Sequence, residues 1–206
     1  MQLIQLIIDG VASGCIYGLV ALGFVLIYKA TETINFAQGD ILMLGAFVAF
    51  SLIGVLGMNY IVGFILTVMI IAVFGFFLDA VVVRQIIGQP AFATVMLTIG
   101  LGFIFRGFAS IYWGTDIFSF STPFSGKITE VGGLIISYVN ISIIVGTTLL
   151  MGILFAFFSF TKIGVAMRAS SENQLAAYYM GIPVKFIFSL IWSISAGVAA
   201  IAGVLL

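Results

Sequence analysis

Histidine is absent from this chain of 206 residues, cysteine occurs once, as Cys15, and proline only three times. With no imidazole and a lone thiol, zinc sites built from His and Cys, an intrachain disulfide and every catalytic arrangement with a His base are excluded. Charge is also scarce. Lys plus Arg number seven, Asp plus Glu number seven, and together they make up 7% of the residues, so there is no basic surface for nucleic acid. Apolar residues fill the space instead, at 63%. A soluble domain has about half its residues apolar and about a quarter charged, so this chain could not cover its own surface with polar groups. Lipid is the solvent that fits. A hydrocarbon layer roughly 30 Å thick takes about 20 helical residues to cross, so this length allows about six spans. The reading is an all-α polytopic integral membrane protein.

The apolar runs fall at residues 3–28, 41–56, 60–83, 91–112, 134–160 and 186–206. The first starts too near the chain start, and runs too long, for a cleavable signal peptide. The second is short for a crossing. It spans more comfortably if Asn35 to Asp40 belong to its helix, and otherwise reads as re-entrant or broken. The turn Gly88-Gln89-Pro90 closes the third span. The pair Tyr112-Trp113 closes the fourth as an interfacial anchor. Two polar connections stand out, at 114–133 and 161–185. Nothing charged or aromatic follows Leu206, which reads as a final helix stopping inside the membrane and a chain that is C-terminally incomplete. The expected domain organisation is one transmembrane domain over residues 1–206. With the 161–185 loop cytoplasmic, six alternating spans put Lys29, Arg84, Lys162, Arg168 and Lys185 inside and only Lys127 in an outer loop. The N-terminus is then outside.

Within the 161–185 loop, Ser171 can cap a short helix with Gln174 reaching back as in a capping box, and Glu172 favours the positive helix start. Gly181 suits the left-handed position after the helix, with Pro183 just beyond. The expected helix has about nine residues, roughly 14 Å. It needs packing against something, because a helix this short is marginal alone in water. Leu175, Ala176 and Tyr179 give it one apolar-to-small face. It carries no Lys or Arg between Glu172 and Met180, which argues against a helix lying on lipid and for one that docks on a cytoplasmic protein.

Elsewhere each polar feature has two readings. Asn35, Gln38 and Asp40 suit substrate or gating contacts, since polar groups in a membrane are costly. They equally suit capping, with Asn35 as cap, Gln38 three residues on and Asp40 in the first turn. Thr94, Thr98 and Gly102 form a small, weakly polar stripe that could line a permeation path or simply bond back to its own helix. Gly10, Gly14 and Gly18 lie along one helix face and read as a site of close helix packing. Arg106 reads as a side chain snorkelling to the interface, and the pair Asp79–Arg84 as an interfacial anchor. Asp9 lies near the outer helix end and can reach headgroups.

Several of these stretches are recognisable. Glu172 followed by Ala176-Ala177-Tyr-Tyr-Met-Gly181 resembles the cytoplasmic coupling loop of ABC-importer permeases, with its Ala-Ala-x-x-x-Gly core. Ile34-Asn-Phe-Ala-Gln-Gly-Asp40 with Gly45-Ala46 resembles the signature of branched-chain amino acid permeases. So do Gly14-Cys-Ile-Tyr-Gly-Leu-Val-Ala-Leu-Gly23 and Thr98-Ile-Gly-Leu101. The resemblance covers essentially the whole chain. It implies a non-enzymatic permease subunit of a bacterial cytoplasmic membrane, surrounded by lipid and needing no cofactor. Its implied partners are a second permease, two ATP-binding cassette subunits and an extracytoplasmic solute-binding protein. Coupling to the ATPases would fall to Glu172, Leu175, Ala176, Ala177 and Gly181. The chain has no P-loop of its own, because Ser121 replaces the first glycine and Ile128 follows Gly126-Lys127. Urea and short-amide permeases are similar enough to remain open as alternatives. A self-sufficient carrier or channel is the third reading, although the carboxylates sit near span ends and no repeated halves are visible. An intramembrane enzyme lacks its residues, since Gly39-Asp40 has no second Asp in a matching motif.

Overall fold

The protein's structure, a computed structural model, describes residues 2–86, 89–116, 118–120, 122–124, 126, 128–131 and 134–206. Lys127, Ser121 and Gly88, on which parts of the sequence reading fall, lie outside these residues. Among the described residues six helices are long and apolar enough to cross a membrane. Apolar runs become helices here because lipid offers no partner for a peptide group, so each N–H and C=O must bond within its own segment.

Helix α1 covers Gln2–Thr31, longer at its C-terminal end than the apolar run. Helix α2, Gln38–Ala49, continues as a π-helical segment, Phe50–Val55. Helix α3 is Tyr60–Val81, followed by a 3₁₀ turn over Val83–Ile86. Helix α4 is Ala91–Tyr112, with the bounds the sequence predicts. Strands β1, Ile128–Val131, and β2, Leu134–Ser137, pair antiparallel with Ile128 opposite Ser137. The fifth span therefore does not begin at Leu134. Helix α5 is Tyr138–Phe160, with Ser137 accepting the Val139 N–H as its cap. Then come α6, Lys162–Glu172, α7, Gln174–Tyr179, and α8, Val184–Leu205.

Helix α8 is the axis of the bundle. Of its membrane-length window 78% is buried, against 11% for α5 at the rim. It packs against α1, α2 and α3. One core cluster joins Ile27, Ile41, Ile71, Phe105 and Trp192. A second joins Ala12, Ile16, Leu19 and Ile143 to Val198 and Ala202 of α8. The close approaches rest on isolated glycines. A Cβ on Gly45 would lie 2.7 Å from the Ala200 Cα, and one on Gly75 would lie 2.8 Å from the Trp192 carbonyl oxygen.

The regular stripe Gly10, Gly14 and Gly18 does not play this part within the chain. All three are exposed, and nothing among the described residues comes within 4 Å of a Cβ built on them. The period puts them on one face of α1, but α1 presents its other face, Ala12, Ile16 and Leu19, to the core.

Candidate functional site

Between α1 and α2 the chain unwinds. Glu32 takes a left-handed φ of 53°, and residues 33–35 have no regular secondary structure before α2 starts at Gln38. This break lies deep in the bundle. Gln38 Nε2 donates to the Ser195 carbonyl at 3.3 Å, halfway along α8, while Ser195 Oγ donates to the Gly23 carbonyl of α1 at 2.7 Å. The second span is thus continuous over Gln38–Val55, and the break precedes it. Gln38 to Asp40 belong to its helix, and Asn35 to Ala37 do not.

Exposed peptide groups at such depth need partners, and side chains supply them. Thr98 Oγ1, fully buried on α4, accepts the Phe36 N–H at 3.3 Å and lies 3.0 Å from the Val95 carbonyl of its own helix. Asn35 Oδ1 accepts the Ala37 N–H at 3.1 Å, and Asn35 Nδ2 donates to Gln38 Oε1 at 3.3 Å. The expected capping box is therefore not formed. Ala37 occupies the cap position, and Asn35 closes a tight turn one step earlier.

Asp40 is buried in the first turn of α2, and Arg106 of α4 meets it with Nε 2.6 Å from Oδ1. This guanidinium has a protein partner that the snorkelling reading did not supply. Its head is held at Asp40 and Phe103 lies under it, 5.8 Å from ring centroid to Cζ, although the side chain stays largely exposed. At the opposite end of the bundle, Asp79 Oδ2 accepts from Ser189 Oγ at 2.6 Å and from Arg84 Nη2 at 3.3 Å. Arg84 Nη2 also reaches the Lys185 carbonyl, at 2.9 Å, and Ser189 Oγ. The pair seen in the sequence is real, but it is built into the α3–α8 contact with Asp79 only 1% exposed, not left at an interface. Asp9 likewise has a protein partner, because Asn140 Nδ2 of α5 donates to it at 2.5 Å.

Beside Asp79 lies a cavity of about 330 Å³. Thr31, Glu32 and Thr33 of the unwound stretch line it, as do Thr94, Val83, Ile86, Gln89, Phe188 and Gln174. Of the polar residues singled out from sequence, Asp79 and Thr94 are in this lining. Asn35, Gln38, Asp40 and Thr98 are not; Asn35, Gln38 and Thr98 bond the break itself, and Asp40 bonds Arg106.

Gln174 opens α7, the short helix of the polar loop. Its cap is Asn173, whose Oδ1 accepts the Ala176 N–H at 2.9 Å. Ser171 does not cap it, because its hydroxyl donates to the Met167 carbonyl at 2.9 Å inside α6, which runs on through Glu172. The helix is accordingly six residues long, and Glu172 ends α6 instead of starting α7. Its exit is the one expected. Gly181 has φ +80°, its N–H bonds the Tyr178 carbonyl, and the Ile182 N–H bonds the Ala177 carbonyl, both at 3.0 Å. Ala177 is buried beneath the helix, while Leu175, Ala176, Tyr178, Tyr179 and Met180 point outward and are exposed.

Residues 6–206 match the family model described as branched-chain amino acid transport system / permease component. The chain belongs to this family. As a permease component it is part of a transport system, not an enzyme, and its six apolar helices make it a multi-pass membrane protein. The high-affinity branched-chain amino acid transport system permease protein BraD of Pseudomonas aeruginosa is 27% identical, over 98% of this chain and 70% of its own length. The corresponding LivH of Salmonella typhimurium is 28% identical over 100% of this chain and 71% of its own. A probable branched-chain amino acid transport permease protein LivH of Methanocaldococcus jannaschii is 29% identical over 91% of this chain and 61% of its own. No solved structure matches the chain.

Two features of this permease were not legible in its sequence. Asp40 and Arg106 are far apart in the chain, and only the packing of α2 on α4 joins them. Gln174 gave no sign that the short helix reaches a cavity. The charge of Asp79 inside an otherwise apolar run was a usable signal for the cavity, since an ionisable residue in a span marks a functional position by default.

Proposed function

We propose that residues 1–206 act as one permease domain through which an ABC importer passes branched-chain amino acids across the cell membrane, driven by ATP hydrolysis in partner subunits. The observation that carries this is the placement of α7. Its outward residues Leu175, Tyr178 and Tyr179 are exposed apolar surface, while its first residue, Gln174, walls the cavity beside Asp79. A motor seated on the outer face of this helix has a direct mechanical line to the space a solute would occupy. Ala177 and Gly181 serve the coupling differently from Leu175 and Ala176, as the inward anchor and the stop that fix the helix's angle.

The basic residues support a cytoplasmic position for this end, with the N-terminus outside. Arg84 bonds Lys185, and Lys29 and Arg168 line one groove beside α6. The partners would be two ATP-binding cassette subunits, a second permease and an extracytoplasmic solute-binding protein. The open glycine face of α1 leaves room for a neighbouring helix from outside the chain. Asn35, Gln38 and Asp40 would act on the path indirectly, by setting where α2 starts. Closure of the motor would move α7 and shift the bundle between outward- and inward-open forms, and a solute drives net transport only by binding the two forms differently. The relatives named above are all branched-chain amino acid permeases, which favours that solute class over urea or short amides. Family membership favours a motor-driven subunit over a self-sufficient carrier.

The test is co-purification from membranes that also express the ATP-binding subunits. The double variant Leu175→Glu, Tyr179→Glu should insert normally and lose the ATPase. Retention of the ATPase at the level of the unmodified chain would refute the docking role of α7.

A further inference from the structure

A carboxylate taken out of water keeps its charge comfortably only when both oxygens are supplied with donors. Asp79 meets half of that requirement. Oδ2 receives Ser189 and Arg84, whereas Oδ1 is buried with no hydrogen-bond partner among the described residues. Arg84 does not complete the set, because its Nη2 is shared among Asp79, Ser189 and the Lys185 carbonyl, and its Nε is itself buried and unpartnered among the described residues. The same aspartate lines the cavity of about 330 Å³, a volume within the range of small-molecule sites.

The rest of the lining has a consistent chemistry. Its described residues include two carboxylates, Asp79 and Glu32, and no Lys or Arg. Val83, Ile86 and Phe188 supply an apolar wall. An acceptor-rich end beside an apolar wall fits a molecule with a cationic donor at one end and a hydrocarbon at the other.

We propose that this cavity holds an aliphatic amino acid in passage, its ammonium at the end lined by the carboxylates of Asp79 and Glu32 and its side chain against Val83, Ile86 and Phe188. This rests on the amino acid permease reading above and adds where the solute sits and which group recognises it. The side-chain amides of Gln89 and Gln174, and the Thr94 hydroxyl, are donors available to the solute's carboxylate. Because Gln174 belongs to α7, movement of that helix would change the wall of the occupied site.

The test uses the permease with its partner subunits in proteoliposomes, carrying Cys15→Ser to remove the native thiol and Thr94→Cys to place one in the cavity wall. Leucine should slow modification of the introduced thiol several-fold. The keto acid of leucine, with the same side chain and carboxylate but no amine, should not. Adding Asp79→Asn should abolish the protection, and if that variant fails to fold, the comparison of leucine with its keto acid decides alone. Equal protection by both compounds, protection by neither, or a thiol that never reacts would overturn the site. Leucine uptake by the unmodified complex keeps the outcomes apart. Uptake without selective protection removes this site and leaves the permease reading standing, whereas absence of uptake removes the reading and the site with it.

Discussion

Arg106 grips Asp40 with two nitrogens, Nε 2.6 Å from Oδ1 and Nη2 3.4 Å from Oδ2, and so ties α4 to the first turn of α2. The two partners are unequal. The Asp40 side chain is 8% exposed and that of Arg106 is 63% exposed. Removing the cation strands a buried carboxylate, whereas removing the anion frees a guanidinium that already reaches the surface. Arg106→Ala should therefore lower the thermal midpoint of the detergent-purified protein more than Asp40→Asn does. Equal losses would show that burial of Asp40 is not what makes the pair matter.

Thr98 holds the unwound segment by accepting the Phe36 N–H. Thr98→Val keeps the shape and strands that donor, at a cost of about 1–3 kcal/mol, and Thr98→Ser should recover most of it. Thermal midpoints of the pair of variants check this. A valine variant as stable as the unmodified protein would remove the clamp from the account of the break.

Glycine contacts separate in the same assay. Gly45→Ala would drive a methyl into the Ala200 backbone and should destabilise by about 1–3 kcal/mol, the usual range for overpacking. Gly14→Ala meets nothing within 4 Å among the described residues and should leave the midpoint of the isolated chain unchanged or raised. A loss at Gly14 in the isolated chain would mean that α1 packs differently.

The cap of α7 gives a further contrast. Asn173→Ala removes the acceptor of the Ala176 N–H and should cost the helix about 1 kcal/mol, while Ser171→Ala, whose hydroxyl bonds only within α6, should cost little. Hydrogen exchange of the amides of residues 174–180 reads this directly. Faster exchange in the serine variant than in the asparagine variant would restore Ser171 as the cap.

The local elements were readable wherever one strong preference acted alone. The bounds of α4 follow from an apolar run between Pro90 and the Tyr112-Trp113 pair, and Gly181 stops α7 because it alone there takes a left-handed φ without strain. Reading failed where two residues offered the same service. Ser171 and Asn173 are both good caps, and the choice fell to whichever lay outside α6. Leu134 begins an apolar run that a lipid argument assigns to helix, yet residues 134–137 pair with β1 because a strand partner lies within reach.

Composition settled the solvent of this protein and the number of its membrane-length helices, because lipid leaves a polypeptide almost no other way to satisfy its backbone. The order of apolar and polar segments settled which ends lie together. The depth of the break before α2, the partner of Arg106 and the half-satisfied Asp79 beside a cavity were decided only by tertiary packing. Each depends on which helix faces α8, and helices that are apolar all round carry too little periodicity for the sequence to say so.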